Sequence, residues 1–270
     1  MMENFLHTTL GATGLRVHRL GLSATYRPGK KAIYSALDAG VNYFFGFGID
    51  TQMISVMRDV FKAKREAYVI ATGAYNYVYW HSNIRRALER SLRQLRTDYI
   101  DIFLFLGVLK DKEFPLSVRK ELYKLREEGK VRYIGLSTHN RALAGTLAAQ
   151  GAVDVLMIRY NAAHRGAEEE IFPYCKEFNP GVVSYTATRW RALLRRPRRT
   201  PKGDRIPDAG MCYRFVLSDP RVHVCMTAPS NMKQLEENLA AVSLGPLPEE
   251  DMDFMRRFGD VVHQSKRWFM

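Results

Sequence analysis

Residues 129–140, Gly-Lys-Val-Arg-Tyr-Ile-Gly-Leu-Ser-Thr-His-Asn, hold the densest chemistry in the sequence. An apolar run, Val131 to Leu136, stops at the small or polar residues Ser137, Thr138 and His139. The imidazole of His139 titrates near neutrality unless its surroundings move it. A second cluster, Tyr75, Tyr77, Tyr79, Trp80 and His81, follows another apolar run, and a phenol there can donate a proton. For each of these aromatics, simple packing or surface exposure is the plainer alternative. Asp50 is either a proton carrier or only the cap of the helix that follows; an exposed aspartate is ionised at pH 7 unless burial holds its proton. Ser230 and Asn231 precede an apolar helical run, with Gln234 at capping-box distance from Asn231. The free N–H groups of such a helix start can face an anion. Arg189, Arg191, Arg195, Arg196, Arg198, Arg199, Lys202 and Arg205 share one loop with a single acid, Asp204. Guanidinium forks suit phosphate, and a solvated basic loop is the competing reading.

These groups need a scaffold, and the hydrophobic pattern supplies one. A hairpin is expected over His7 to Leu20, turning at Ala12-Thr13-Gly14. Short apolar strands follow at Leu20–Ala24, Val41–Phe45, Ala67–Thr72, Asp101–Leu106, Val131–Leu136, Asp154–Ile158, Val182–Tyr185 and Val222–Met226. Between them lie helical runs at about Lys30–Ala39, from Asp50 to Ala63, Ser82–Leu95, Leu116–Glu128, from Arg141, from Glu168, and Asn231–Val242. The unit after Tyr185 is the least regular, with Pro197, Pro201 and Pro207 in its loop. Residues from Glu249 read as one further amphipathic helix outside the repeat. Alternating strands and helices imply a parallel sheet, and eight of them close into a (β/α)8 TIM barrel with the ligand at the strand ends. The 270 residues suit one such domain, spanning 1–270.

Composition narrows the class. With 46% hydrophobic and 26% charged residues the chain is an ordinary globular one. No apolar run reaches membrane-spanning length, and no leader pattern opens the chain, so no membrane is expected. Cys175, Cys212 and Cys225 match no metal spacing and cannot all pair, which fits a reducing cytoplasm and no metal. The formal charge of +13 raises nucleic acid, yet no basic helix interleaved with aromatics, zinc finger or helix-turn-helix pattern accompanies it. A taste for a small anionic ligand, or merely a solvated basic surface, fits better. Phe44, Phe45, Phe47, Phe103, Phe105 and Leu106 suggest an apolar core and mouth, suited to a hydrophobic small molecule.

Several segments together resemble the aldo-keto reductase family over nearly the whole chain. They are Leu10-Gly-Ala-Thr-Gly-Leu-Arg-Val17, Gly40-Val-Asn-Tyr-Phe44, Ser91-Leu-Arg-Gln-Leu-Arg-Thr-Asp-Tyr-Ile-Asp101, Gly129 to Ser137, Tyr160-Asn161 and Gln234-Leu-Glu-Glu-Asn238. Asn161-Ala-Ala-His-Arg-Gly-Ala167 is similar to the bacterial branches, without the cysteine cluster that some of them carry. The resemblance implies a hairpin plugging the barrel bottom and a nicotinamide cofactor, NADP(H), lying across the strand ends. It assigns Ser137 to the carboxamide, with Thr138 where asparagine is common, and Tyr185 to the ring beneath the nicotinamide. Ser230, Asn231, Gln234, Glu237 and Asn238 fall on the phosphate and adenine contacts, and Arg189 belongs to the loop that folds over the pyrophosphate. Met157 replaces a glutamine that holds the carboxamide.

The catalytic tetrad of that family is an aspartate, a tyrosine, a lysine and a histidine. The matching positions here hold Phe45, Asp50, Gly73 and Leu106. A general acid or base is worth roughly 10²–10⁴-fold, so ordinary carbonyl reduction should be nearly abolished. The resemblance therefore implies a diverged oxidoreductase with atypical catalysis, in which Asp50, Tyr75, Tyr77 or His139 substitutes. The alternatives are a repurposed barrel running a non-redox reaction on a hydrophobic small molecule, and a non-catalytic binding pseudoenzyme.

Overall fold

The computed structural model describes residues 5–46, 49–75, 84–198 and 203–265. Of the residues singled out above, Phe47, Tyr77, Tyr79, Trp80, His81, Ser82, Arg199, Pro201 and Lys202 lie outside these ranges. A hairpin of β1 (His7–Thr9) and β2 (Arg16–His18) opens the chain, with Gly14 at φ 70° in its turn. Eight strands then close a barrel: β3 (Leu20–Ser23), β4 (Tyr43–Phe45), β5 (Val69–Tyr75), β6 (Ile100–Val108), β7 (Val131–Thr138), β8 (Val155–Arg159), β9 (Gly181–Tyr185) and β10 (Val224–Thr227). All neighbouring pairs are parallel, and β10 pairs with β3 to complete the circle. The helices are α1 (Lys30–Asp38), α2 (Thr51–Lys64), α3 (Ile84–Leu95), α4 (Leu116–Glu127), α5 (Arg141–Ala149), α6 (Ala167–Glu170), α7 (Ala209–Ser218), α8 (Met232–Ser243) and α9 (Glu249–Ser265).

Strand side chains alternate between two faces, and the apolar residues divide accordingly. Tyr43, Phe45, Val69, Ala71, Ile102, Leu104, Leu106, Val155, Met157, Val183, Val224 and Met226 form one cluster inside the barrel. Leu10 and Val17 join it from the hairpin, so the hairpin closes the lower end, where the Tyr133 hydroxyl also donates to the Thr13 carbonyl. The opposite strand faces, among them Phe44, Ile70, Phe103, Phe105, Ile134 and Leu136, pack beneath the helices. Of the aromatics expected to line the mouth, Phe44, Phe103 and Phe105 thus point outward to the helix layer. Among the described residues of that set, Phe45 and Leu106 face the interior.

Several strand ends run further than the apolar pattern predicts, because barrel pairing carries polar residues along. Tyr75 belongs to β5, Ser137 and Thr138 to β7, and Arg159 to β8. α7 has no amphipathic period to read: Gly210, Met211, Cys212, Tyr213, Phe215, Val216 and Leu217 are all buried in it. The helix after β8 is a single turn, α6, followed by a 3-10 turn at Phe172–Cys175. Among the described residues, no helix is long and apolar enough to cross a membrane.

Candidate active site

The upper end of the barrel interior is where the strands deliver their last side chains. Phe45, Leu106 and Met157 are each less than a tenth exposed and belong to the continuous interior cluster, with Tyr185 packed on it. Two of the expected proton-handling positions are therefore filled by hydrocarbon. At a third, Gly73, the backbone itself closes the space. A Cβ there would press into the Leu104 carbonyl of the paired strand and lie 3.0 Å from Leu106 Cγ. Directly beyond Leu106, Gly107 takes φ 75°, and the β6–β7 register shifts between Phe105 and Val108. That conformation favours glycine, and the bulge re-aims the end of β6.

Asp50 occupies the fourth position and is 7% exposed. It lines a small cavity with Gly46, Met53, Ile54, Met57, Ile70 and Thr72. Ile70 belongs to the outer cluster, so this cavity lies between the barrel wall and α2 and α3, outside the mouth. The structure thus places Asp50 at the start of α2, turned toward the helix layer and away from the reacting centre expected of it.

Three adjacent strands assemble a polar rim above the apolar floor. Cross-strand register pairs Ser137 with Met157, Met157 with Val183, and Arg159 with Tyr185. Met157 and Val183 face inward, so Arg159 and Tyr185, two residues on, face the same way. His139 continues the line of Ser137 beyond β7. The Tyr185 hydroxyl stands 3.3 Å from His139 Nε2 and 3.4 Å from Nδ1, with the rings edge to face at 5.7 Å. Burial pushes the Tyr185 phenol up to about 12, while its hydrogen bond with Ser137 and the charge of Arg159 pull the other way. Burial and the charge of Arg159 lower the basicity of His139. Tyr75 ends β5 on the interior side, 44% exposed, and acts electrostatically on Tyr185.

The remaining expected contacts divide. Thr138 is buried on the outward face of β7, where its hydroxyl accepts the Asn140 N–H at 2.9 Å, and Asn140 in turn caps α5. Arg189 is 1% exposed, and its Nη1 donates to the Val262 carbonyl of α9 at 2.5 Å. Its side chain secures the loop to the outer helix. Around it the backbone is left-handed at four non-glycine residues, Thr186, Arg189, Trp190 and Arg191. Each costs on the order of 1–3 kcal/mol, a strain that clusters at ligand sites. Asn161 braces this turn by donating to the Thr186 carbonyl at 2.9 Å.

At the start of α8, Asn231 Oδ1 accepts the Gln234 N–H at 2.9 Å. Gln234 Oε1 accepts from the Ser230 N–H and hydroxyl at 2.9 and 3.0 Å. Ser230, Asn231 and Gln234 are all exposed, as an incoming phosphate requires. Asn238 is instead buried and donates to Thr227 Oγ1, which donates to the Tyr213 hydroxyl. Glu237 is exposed beside Lys233 at 3.9 Å. Arg159 is the residue the sequence reading passed over. Its signal was the alternation Val155, Met157, Arg159, which puts a guanidinium on the inward face once β8 is extended by one residue.

A family model described as "Aldo/keto reductase family" matches residues 25–205. Over 98% of its length the chain is 28% identical to the aldo-keto reductase YhdN of Bacillus subtilis (strain 168), covering 81% of that protein. Its fold is similar to that of aldo-keto reductase AKR11C1 from Bacillus halodurans. The TM-score is 0.77 to the holo form and 0.73 to the apo form. In each case identity is 22%, with 93% of this chain and 95% of the other covered.

Proposed function

The chain belongs to the aldo/keto reductase family, and from that membership we propose that it binds NADP(H) across the barrel mouth but has given up ordinary carbonyl reduction. The residues present suit a dinucleotide at both ends. At one end stand the Ser137 hydroxyl and the Tyr185 ring. At the other, the exposed start of α8 offers Ser230, Asn231 and Lys233 to a phosphate. Thr138 and Asn238 point elsewhere, and Met157 offers the carboxamide no hydrogen bond. The contacts are thus fewer than the resemblance implies, at the nicotinamide end for Thr138 and Met157 and at the adenine end for Asn238.

A bound dinucleotide would supply hydride, so the protein must supply the proton. Phe45 and Leu106 have none to give. A phenol held near 12 is a weak acid at pH 7, which argues against Tyr185 as donor. Among the described residues, Tyr75 is the inward-facing phenol left in reach of a ligand, and the preceding inward position on its strand is Gly73, not a lysine. The observation that carries this reading is Gly73: a side chain of any size there meets the Leu104 backbone. The seat of the lysine is closed as well as vacated.

The test is a fluorescence titration with NADPH, followed by its oxidation against a panel of aldehydes and ketones. Saturable binding is expected, with turnover at least ~10³-fold below a tetrad-bearing relative assayed alongside. Absence of binding at millimolar NADPH would end the dinucleotide assignment. Brisk ketone reduction would end the claim of lost chemistry. Tyr75→Phe reads out what remains: if residual turnover falls, the loop-side phenol is the donor. Saturable binding without any oxidation of the cofactor marks the protein as a binding module on the same fold.

A further inference from the structure

The mouth has an apolar floor and, above it on β7 to β9, a polar and cationic rim. Phe45, Leu106 and Met157 form the apolar floor. Facing the same space, β7, β8 and β9 carry the Ser137 hydroxyl, the Arg159 guanidinium and the Tyr185 hydroxyl, with His139 against the last. Arg159 is half-buried at the inward end of β8. A guanidinium offers five N–H donors and no acceptor, and it stays charged at any working pH. Its field reaches His139, Arg189 and His164, and Arg141 and Arg189 add the same sign nearby. The local potential is positive and borders apolar side chains less than a tenth exposed, where a lower dielectric strengthens an ion pair.

We propose that Arg159, with the Tyr185 hydroxyl and His139, binds the carboxylate of a small acid whose apolar body lies on Phe45, Leu106 and Met157. The planar fork of arginine matches the two oxygens of a carboxylate, and a phenol or imidazole N–H can serve a remaining lone pair. An oxyanion at this place has two sources: the acid group of a substrate, or a phosphate of the dinucleotide. The apolar floor beneath Arg159 favours the first, because a pyrophosphate has no hydrocarbon to lay on it. The assignment uses the mouth of the preceding section, yet it is measurable without any dinucleotide.

Benzoate and benzamide have nearly the same shape and differ in charge, so they make the probe pair. Ligand-observed NMR titration of the full-length apo protein at constant ionic strength should show benzoate binding at least ~10-fold tighter than benzamide. Arg159→Met should remove that preference, and Arg159→Lys should keep part of it, since the charge stays and the fork is lost. Circular dichroism confirms that each variant is folded; if Arg159→Met is not, Arg159→Lys and the probe pair decide. Equal affinity for the two probes, or an undiminished preference in the folded Arg159 variants, overturns the proposal. Repeating the titration with saturating NADPH separates the sources: benzoate that still binds belongs to a substrate subsite. Benzoate displaced by both NADPH and inorganic pyrophosphate assigns Arg159 to the dinucleotide and overturns the substrate assignment. A protein that binds benzoate but no NADPH would keep this subsite while removing the cofactor reading.

Discussion

At Gly73, where the proposed reading puts the family's lysine, a Cβ would run into the Leu104 carbonyl of the neighbouring strand. Restoring the tetrad by Phe45→Asp, Asp50→Tyr, Gly73→Lys and Leu106→His should not restore carbonyl reduction, because the strand pairing leaves no room for a Cβ at 73. Gly73→Ala alone should lower stability by about 2–3 kcal/mol through overpacking against Leu104, read as a fall in the urea midpoint. A wild-type midpoint would show that β5 yields and that the seat is open. The four proposed replacements were legible only by counting from the matched segments and the strand ends, since Phe45, Asp50, Gly73 and Leu106 all lie outside those segments. The closure was not, since it depends on which residue of β6 lies beside Gly73. Arg159 was hidden for a related reason: strand ends are set by pairing with neighbours, and the apolar run stops one residue earlier.

Helix starts were the most legible elements. Asn231 and Gln234 form the interaction that their spacing implies, because capping is local and needs no tertiary partner. Asn231→Ala should cost about 1 kcal/mol of stability. If the start of α8 holds the 2′-phosphate, the same change weakens NADPH more than NADH, as parallel fluorescence titrations would show. Equal losses for the two cofactors would leave Asn231 a cap alone. By contrast α7 escaped the sequence reading. A helix buried on nearly every side carries no periodic contrast between faces, so its pattern resembles a strand or a loop. Asp50, read as a proton carrier or a helix cap, stands at the start of α2 with its carboxylate on a cavity behind the barrel wall, a direction that spacing alone does not reveal.

The whole barrel was visible as eight apolar runs separated by helical ones, since a parallel sheet buried on both faces writes itself as continuous hydrophobic segments. Its response to acid was not visible. Burial lowers His18 to about 4, His223 to about 4 and His164 to about 3. His223 Nδ1 accepts the Val182 N–H at 2.9 Å, and a proton on that nitrogen would break the bond. The unfolded chain takes up these protons near pH 6.5 and the folded protein only well below it. Stability is therefore full above pH 6.5 and drains as pH falls from there toward 4. A Tm lower by roughly 5 °C or more at pH 4.5 than at pH 7 is expected in thermal melts. His223→Gln should flatten part of that slope, and an unchanged slope would remove His223 from the account.

The clasp between Arg189 and the Val262 carbonyl ties the rim of the mouth to the last helix of the chain. Arg165, bonded to Asp260 and to the Arg256 carbonyl, adds a second mooring on the same helix. Anything that tugs on α9 from outside, whether an antibody, a surface or a neighbouring molecule, therefore pulls on the strained turn beside the barrel mouth. The outer helix is a handle as much as a cover.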